Sequence, residues 1–424
     1  MQSFVIKAWI DEVAQFIDAN RKRKRDDNDE IVYSSPMSSP SERPLTVPVD
    51  LDTTPRARLD GQSTRTTSLI EPFRHPDSSP TTKKRRQSPS KKHNTTASLL
   101  TLDPPIHVVP TLGLSPIPIC IRGLYRELYA TTSEFLPLNL KRIMTQDEMD
   151  NLIIPPHMWR RQEDETSSDH QRIQNEHHTI LDILEEAVEA SQLCKGESAW
   201  NAQVHYPLLK LAFSQFPFLR PETVTNAQIV EDFLPRSNNI ASSSASSSSL
   251  LSSNDSSGWT ESSSTSAHKM VDFALVLIPD AELQTKIDHF LRTQHHATIN
   301  QTTYHALANR PVPLFIGTKT TSGSGSRSQV QLGIWAASWF QRLRAAGSAK
   351  EALPIPLVRV YGHVWQVMIA IDENDKVLMV DQAVCIGDTA SIIGMYQLMA
   401  ALRIIGKWAD TEFRAWITEF LDSV

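Results

Sequence analysis

Residue types that can bind a divalent cation and stabilise negative charge follow one another along the second half of the chain. Asp272 lies at the start of a buried apolar run, and the next such run ends at Gly317 and Lys319. A largely apolar helix that contains Gln331 then begins at Gln329. Carboxylates are ligands that Mg²⁺ prefers, and a lysine can stabilise charge that develops on a phosphate. These residue types are therefore compatible with metal-assisted chemistry.

The segments around these positions indicate a protein family more specifically than the single side chains do. They read ESAWN at 197–201 with VH at 204–205, KMVDF at 269–273, QLGIW at 331–335 and GHVW at 362–365. This set of segments resembles a PD-(D/E)xK nuclease-like domain of filamentous fungi, within the restriction-endonuclease-like superfamily. Members of that group are often encoded near secondary-metabolite genes. Gln331 and Trp335 resemble the Gln-x-x-x-aromatic motif of RecB-type nucleases.

The resemblance implies a nuclease-like protein that binds DNA or hydrolyses phosphodiesters with Mg²⁺. It assigns Asp272 and Glu197 as metal ligands, and Lys319 and Gln331 as catalytic residues. Such hydrolysis needs an ion that neutralises the phosphate and lowers the pKa of an attacking water. A lysine beside the ion orients or deprotonates that water. The implied partners are nucleic acid, with DNA favoured, and the import machinery, but no membrane.

Gly317 departs from the family pattern. The pattern calls for Glu two residues before the lysine, and a glycine has no side chain with which to bind a metal. Glu197 is the nearby acidic residue that could compensate. Two hypotheses therefore stay open: a nuclease, and a catalytically inactive pseudo-nuclease that serves as a binding or regulatory module linked to fungal secondary metabolism.

Each candidate residue also has a purely structural interpretation. Asp272 could cap a strand or pair with a lysine, and Glu197 could be a carboxylate favoured by the dipole at a helix N-terminus. Lys319 could be a solvated strand end, while Gln331 could bond the backbone as well as a base. Trp335 is typical of a core position. The adjacent pairs His177–His178 and His295–His296 are expected to point to different faces, so neither is assigned to a metal.

The periodicity of apolar residues predicts an α/β (α+β) fold with a mixed central sheet flanked by helices. Helices are predicted over 171–192, 197–214 with a kink at Pro207, and 329–346, followed by a helix pair over 391–421. Strands are predicted at 271–278, 312–316, 357–360, 363–371 and 377–380, with a corner at Tyr361-Gly362. The resemblance narrows this fold to a restriction-endonuclease-like core.

Composition divides the chain into three parts. Residues 1–19 predict a short amphipathic helix, and residues 20–104 predict a disordered, basic, Ser/Pro-rich tail with few large apolar residues. Residues 105–424 form the nuclease-like domain. A Ser-rich loop is predicted inside it at 236–267, because 15 of the 25 residues from 242 to 266 are serine.

Two basic clusters in the tail predict import into the nucleus, with the cytoplasm as the alternative. Their residues are Arg21, Lys22, Arg23, Lys24, Arg25, Lys83, Lys84, Arg85 and Arg86. The whole chain carries a formal charge of −6, which argues against a wholly basic nucleic-acid coat protein but not against a local basic groove. No stretch approaches the roughly 18 apolar residues of a membrane span, so a soluble protein is expected.

Three scattered cysteines, Cys120, Cys194 and Cys385, show no metal-ligand spacing and no disulfide pattern. This use of cysteine is typical of a reducing compartment. Each is expected to be a small buried residue rather than a nucleophile.

Overall fold

The computed structural model describes residues 95–110, 113–161, 167–237, 271–321, 323 and 325–424. The amphipathic helix at 1–19, both basic clusters, the tail up to residue 94 and the Ser-rich segment from 238 to 270 lie outside the described residues. The predictions made for those parts stay predictions.

Helices surround the sheet on both faces. In chain order they are α1 Thr96–Leu99, α2 Arg122–Ala130, α3 Leu140–Ile143, α4 Gln146–Asn151, α5 Ser167–Gln192, α6 Glu197–Trp200, α7 Tyr206–Phe213, α8 Ala281–Thr293, α9 His305–Ala308, α10 Gly325–Ala345, α11 Ile392–Trp408 and α12 Arg414–Asp422. Short 3₁₀ turns occur at Ile119–Ile121, Pro156–Met158 and Glu231–Phe233. Among the described helices, none combines the length and the hydropathy that a bilayer crossing requires.

The strands form a seven-stranded mixed sheet and a separate two-stranded pair. Their bounds are β1 Leu102–Asp103, β2 Ile106–Pro110, β3 Leu219–Thr223, β4 Arg236–Ser237, β5 Phe273–Leu277, β6 Leu314–Lys319, β7 Ile355–Tyr361, β8 Val364–Asp372 and β9 Val377–Asp388. The large sheet has the order β2-β9-β8-β7-β6-β5-β3, and β1 pairs with β4. β6 runs parallel to β7 and antiparallel to β5. The predicted mixed α/β architecture is confirmed.

The centre of the sheet is apolar because both of its faces are covered. Every residue of β5 is buried, and so is every residue of β6 before Lys319. On one face α10 contributes Trp335 and Trp339, both fully buried, as expected for core positions. The Phe315 ring meets Trp335 edge-to-face, with centroids 5.8 Å apart. The site residues of β6 therefore project from a rigid strand, which is the best support for a precise side-chain position.

The helix predicted over 197–214 is interrupted before Pro207. A π-helical turn, Asn201–His205, joins α6 to α7. Proline has no backbone N–H, so it cannot donate to the carbonyl four residues earlier, and a π turn accommodates that missing bond. The turn directs Asn201 and His205 into the protein, where both are buried.

The folded part starts earlier than the predicted boundary between residues 104 and 105. Residues 95–103 contain α1 and β1, and the side chains of Leu99 and Leu102 are buried in the core. Assigning this stretch to a disordered tail was wrong, because a few large apolar residues suffice to anchor a short segment. The first two residues of the predicted Ser-rich loop likewise form β4, which pairs with β1.

One predicted turn is present, and the final helix pair differs from the prediction. Gly362 has a φ of +56°, and a Cβ there would lie 2.5 Å from Thr321 Cγ2, so the predicted corner requires glycine. The final helix pair is one helical run in which a π turn, Ala409–Phe413, links α11 to α12. The expectation that the three cysteines are buried was wrong, since Cys120, Cys194 and Cys385 are all exposed.

Candidate active site

Three elements bring the charged residues together. Asp272 immediately precedes β5, and its backbone N–H donates to the Ile316 carbonyl at 3.0 Å. Lys319 is the last residue of the neighbouring strand β6. Glu197 is the first residue of α6, preceded by Gly196 as the N-cap. The helix dipole favours a carboxylate at that position, so the structural and the functional interpretations of Glu197 are compatible.

Lys319 is surrounded by oxygen atoms. Its Nζ lies 3.0 Å from both Glu197 Oε1 and Glu197 Oε2, and 2.6 Å from the Thr318 carbonyl oxygen. The lysine side chain is 12% exposed and the Glu197 side chain 32% exposed. Lys319 is therefore not a solvated strand end. Three oxygen atoms surround its ammonium group, so the protein already holds one cation at this position.

Asp272 is held by partners that the sequence did not single out. Its Oδ2 accepts a hydrogen bond from the Thr318 backbone N–H at 2.7 Å, and Asn201 Nδ2 lies 3.5 Å from Oδ1. The Thr318 hydroxyl in turn donates to Asn201 Oδ1 at 2.8 Å. One available signal was spacing, because Asn201 follows Glu197 by four residues and so shares its helix face. Asn201 and Thr318 fix the orientation of the Asp272 carboxylate.

Burial and mutual repulsion govern the two carboxyl groups. Burial, followed by the negative charge of Asp272, raises the pKa of Glu197 to about 7, although Lys319 opposes the shift. Burial also raises the pKa of Asp272, against the lowering effect of Lys319 and of the Thr318 hydrogen bonds. Two carboxyl groups that share one lysine cannot both ionise easily. A divalent cation at this pair would favour the ionised form of both groups.

Gly317 faces α10. A Cβ at this position would lie 2.9 Å from Ser328 Oγ and 3.3 Å from Leu332 Cγ. The Gly317 backbone is not left-handed, so glycine is not required by its φ angle. The glutamate side chain that the family pattern expects here is thus missing. Ser328 and Leu332 occupy the space next to the position that its Cβ would take.

A family comparison agrees with this geometry. A model of the PD-(D/E)XK nuclease superfamily matches residues 145–414. The chain belongs to the PD-(D/E)XK nuclease superfamily. The matched region contains Glu197, Asp272 and Lys319 together with the strands and helices that position them. A search of curated proteins found no match.

PD-(D/E)XK nucleases generally use divalent metal ions, and the residues here fit such an ion. Glu197 and Asp272 supply carboxylate oxygens, the donor type that Mg²⁺ and Mn²⁺ prefer. Burial, the main cause of the raised pKa values of both groups, disfavours their charged forms, and a bound cation would favour them. Lys319 supplies one positive charge to the pair, and a divalent ion would leave the cluster with a net positive charge that can attract a phosphate.

The match of Gln331 to the RecB-type motif within the PD-(D/E)XK superfamily implies a catalytic role, and that role stays a prediction. Gln331 lies on α10 and is partly buried. Its Oε1 is buried without a hydrogen-bond partner. No hydrogen bond within the described residues joins it to Glu197, Asp272 or Lys319. Gln329 donates to Asp381 Oδ2 at 2.6 Å instead, beside a separate cavity of about 590 Å³ that both residues line. Neighbouring positions on a helix face different surroundings. The spacing of the motif alone therefore does not show whether the Gln331 side chain faces the site or the core.

An aromatic cluster joins two of the four quoted segments, 197–205 and 362–365. Trp200 stacks on His205 at 5.6 Å and meets His363 edge-on at 5.0 Å, while His205 meets Trp365 at 5.4 Å. Complete burial lowers the pKa of His205 to about 3, so this imidazole is neutral. The cluster ties the helix of Glu197 to the β7–β8 corner, where Gly362 N–H donates to the Lys319 carbonyl at 2.8 Å.

Proposed function

We propose that this protein is a DNA-directed nuclease of the PD-(D/E)XK superfamily that uses Mg²⁺ bound by Glu197 and Asp272. The observation that carries the proposal is the convergence of Glu197, Asp272 and Lys319 from three separate elements, with Lys319 Nζ 3.0 Å from both Glu197 oxygens. Perturbed carboxyl groups grouped around a lysine are typical of active sites.

Each residue has a role that follows from its surroundings. Glu197 and Asp272 would hold the ion, and Asn201 with Thr318 would keep the Asp272 carboxylate in one orientation. Bound Mg²⁺ supplies charge neutralisation for a phosphate oxygen and a lowered pKa for a bound water. Lys319, relieved of neutralising Glu197, would orient that water and stabilise negative charge on the phosphate.

The cellular setting is part of the proposal. The two basic clusters at 21–25 and 83–86 support nuclear import, and a nuclear location supports DNA as the substrate. We further propose a fungal protein linked to secondary metabolism, on the basis of the sequence segments that resemble that group. Changing both clusters to alanine should abolish nuclear accumulation of a tagged protein. Unchanged accumulation would remove the support for this location.

A nuclease assay tests the activity. Purified protein is incubated with plasmid and with linear DNA in Mg²⁺, Mn²⁺ or EDTA, alongside Asp272→Asn, Glu197→Gln and Lys319→Met. We expect metal-dependent cleavage that each substitution reduces at least 100-fold, since removing one charge-stabilising group costs about that much in catalysis. Lys286→Met is the control, because Lys286 is also an ion-paired lysine, 2.7 Å from Asp422. Cleavage that persists in Asp272→Asn would come from another site or a contaminant.

Gly317 favours a second candidate, a pseudo-nuclease that binds nucleic acid or a regulatory partner without cleaving it. The expected carboxylate is absent there, and Ser328 and Leu332 pack against the position. Metal binding and DNA binding without cleavage, both lost in Asp272→Asn, would establish this candidate over the first. Absence of both binding activities would refute the site assignment altogether.

A further inference from the structure

A second group of potential metal ligands comes together outside the nuclease-like site. Asp232 lies in the 3₁₀ turn Glu231–Phe233, and His295 and His296 follow α8. His296 Nε2 lies 2.7 Å from Asp232 Oδ2 and 3.4 Å from His295 Nδ1. The expectation that adjacent histidines point to different faces was wrong for this pair. The loop after α8 turns both rings so that one nitrogen of each lies within 4.8 Å of a carboxylate oxygen of Asp232.

The backbone around the three residues is held by contacts that do not involve them. Val230 N–H donates to the Gln301 carbonyl at 2.9 Å, and Ile229 forms an antiparallel bridge with Thr302. The buried Arg342 donates to the Thr298 carbonyl at 2.7 Å. Two chain segments far apart in sequence are therefore fixed side by side, which preorganises the three ligand atoms.

Apolar packing restricts the ring of His296. Its centroid lies 5.2 Å from that of Phe233, at an interplanar angle of 74°. The Arg342 guanidinium lies 5.3 Å from the same Phe233 ring. The His296 side chain is 24% exposed and that of Asp232 66% exposed, so the pair lies at the surface.

One hydrogen bond cannot satisfy both contacts of His296 Nε2. A proton on His296 Nε2 can point to Asp232 or to His295, but not well to both. When neither His296 Nε2 nor His295 Nδ1 carries a proton, three atoms with lone pairs face one small region, and a cation satisfies all of them together.

The distances and the donor types select the class of cation. Tetrahedral Zn²⁺ with bonds of about 2.0–2.1 Å keeps neighbouring ligand atoms roughly 3.3–3.4 Å apart. The 3.4 Å between the two histidine nitrogens already has this value, and the exposed Asp232 side chain needs to retreat by roughly 0.6 Å. Imidazole nitrogen favours Zn²⁺ and its neighbours in the transition series over Mg²⁺.

We propose that Asp232, His295 and His296 form a Zn²⁺ site, with water in the fourth position, that pins the Glu231–Phe233 turn to the loop after α8. The site is distinct in chemistry from the Glu197–Asp272 pair, which offers oxygen donors alone. Each site can therefore be filled without the other.

Calorimetric titration of the full, tag-free chain with ZnCl₂ after EDTA treatment tests this. We expect one equivalent bound with a dissociation constant in the micromolar range or below, unaffected by millimolar Mg²⁺. His295→Gln and Asp232→Asn should each weaken binding at least tenfold. His289→Gln, an exposed histidine on α8, is the matched control and should bind normally. Zn²⁺ should also raise the melting temperature of the parent but not of the two ligand variants, because a ligand of the native state stabilises it.

The outcomes separate this site from the nuclease-like one. The double variant Glu197→Gln/Asp272→Asn should retain its zinc equivalent, whether or not the proposed nuclease activity exists. Co²⁺ in place of Zn²⁺ should give the visible absorption of a tetrahedral N/O site in the parent and lose it in His295→Gln. No zinc binding by the parent, or zinc binding that is unchanged in both ligand variants, would overturn the proposal. Circular dichroism in EDTA checks that the variants fold.

Discussion

The two clusters of potential ligands differ in burial and in how they meet their need for positive charge. In the Glu197–Asp272–Lys319 cluster the carboxyl groups are largely buried, and an internal lysine neutralises part of their charge. In the Asp232–His295–His296 cluster the carboxylate is mostly exposed, and the other two ligands are imidazoles that can be neutral. In the absence of metal, keeping the buried carboxylates ionised costs free energy, whereas keeping the exposed carboxylate ionised does not. Substitutions should therefore change protein stability at the first cluster and mainly metal affinity at the second.

Lys319→Met should have the largest effect. The substitution leaves two buried carboxyl groups without their nearest cation, and breaking a buried pair in this way usually costs about 3–5 kcal/mol. Because the Glu197 side chain is 32% exposed, we expect about 2–3 kcal/mol at pH 8, measured by urea unfolding. Mg²⁺ should recover part of this loss.

Lys286→Met is the control for this prediction, since the same residue type is removed from an ion pair at the surface. Its unfolding midpoint should match that of the parent. If Lys319→Met also unfolds at the parent midpoint, the buried cluster has no unmet charge, and the contrast between the two clusters disappears.

Gly317→Glu should destabilise the protein by about 1–2 kcal/mol, since adding atoms to a packed site forces neighbours to shift. The contact responsible is with Ser328 Oγ, which lies 2.9 Å from the position that the new Cβ would take. Adding Ser328→Gly should relieve most of the loss. Position 317 lies on the same side of β6 as Lys319, so the double variant should also bind Mg²⁺ more tightly.

Calorimetric titration of Gly317→Glu/Ser328→Gly with Mg²⁺ measures that gain, and adding Asp272→Ala should abolish it. An unchanged affinity in a folded double variant would show that positions 317 and 272 do not share a metal site. The Mg²⁺ ligands would then be restricted to the groups already present in the natural chain.

Glu197→Gln should show a pH-dependent effect. The pKa of Glu197 rises on folding from 4.5 to about 7, so the native state holds the proton more tightly than the unfolded state. The stability from this group is fully present below pH 4.5 and is lost as the pH rises through about 7. Glutamine does not ionise, so the variant should gain on the parent over that window, by about 1 kcal/mol after allowance for solvent screening.

Urea unfolding at pH 4.5 and at pH 8 provides the comparison, with Glu189→Gln as the exposed, lysine-paired control. A difference between Glu197→Gln and the parent that is the same at both pH values would mean that Glu197 is ionised normally. The electrostatic contrast between the buried and the exposed cluster would then be unfounded.

Deleting residues 242–264 should have the smallest effect. This Ser-rich stretch lies in sequence between Asp232 and Asp272, but each cluster has supporting contacts of its own within the described residues. The melting temperature should stay within a few degrees, because changes away from core and caps usually move stability by about 0.5 kcal/mol or less. Loss of the fold on deletion would refute the proposal that the stretch is a loop inside one domain.

The sequence by itself determined the elements and the local position of two site residues. Runs of buried apolar residues predicted β5 and β6, and the site residues Asp272 and Lys319 lie at the ends of those runs. Periodicity also placed α10 with Trp335 in the core. These features depend on neighbours a few residues apart, where side-chain spacing maps directly onto one face of a strand or helix.

The tertiary structure decided which of these residues meet. Glu197 and Lys319 are 122 positions apart, and no local pattern predicts that their side chains lie 3.0 Å from one another. Packing of Ser328 against Gly317, burial of the Gln331 Oε1 atom and the start of the folded part before Leu99 are likewise decided by contacts with distant segments. The approach of Asp232 to His295 and His296 is the clearest case, because it depends on the backbone contacts between two loops. Periodicity reports how a segment faces its surroundings, whereas the identity of those surroundings is set by how the whole chain packs.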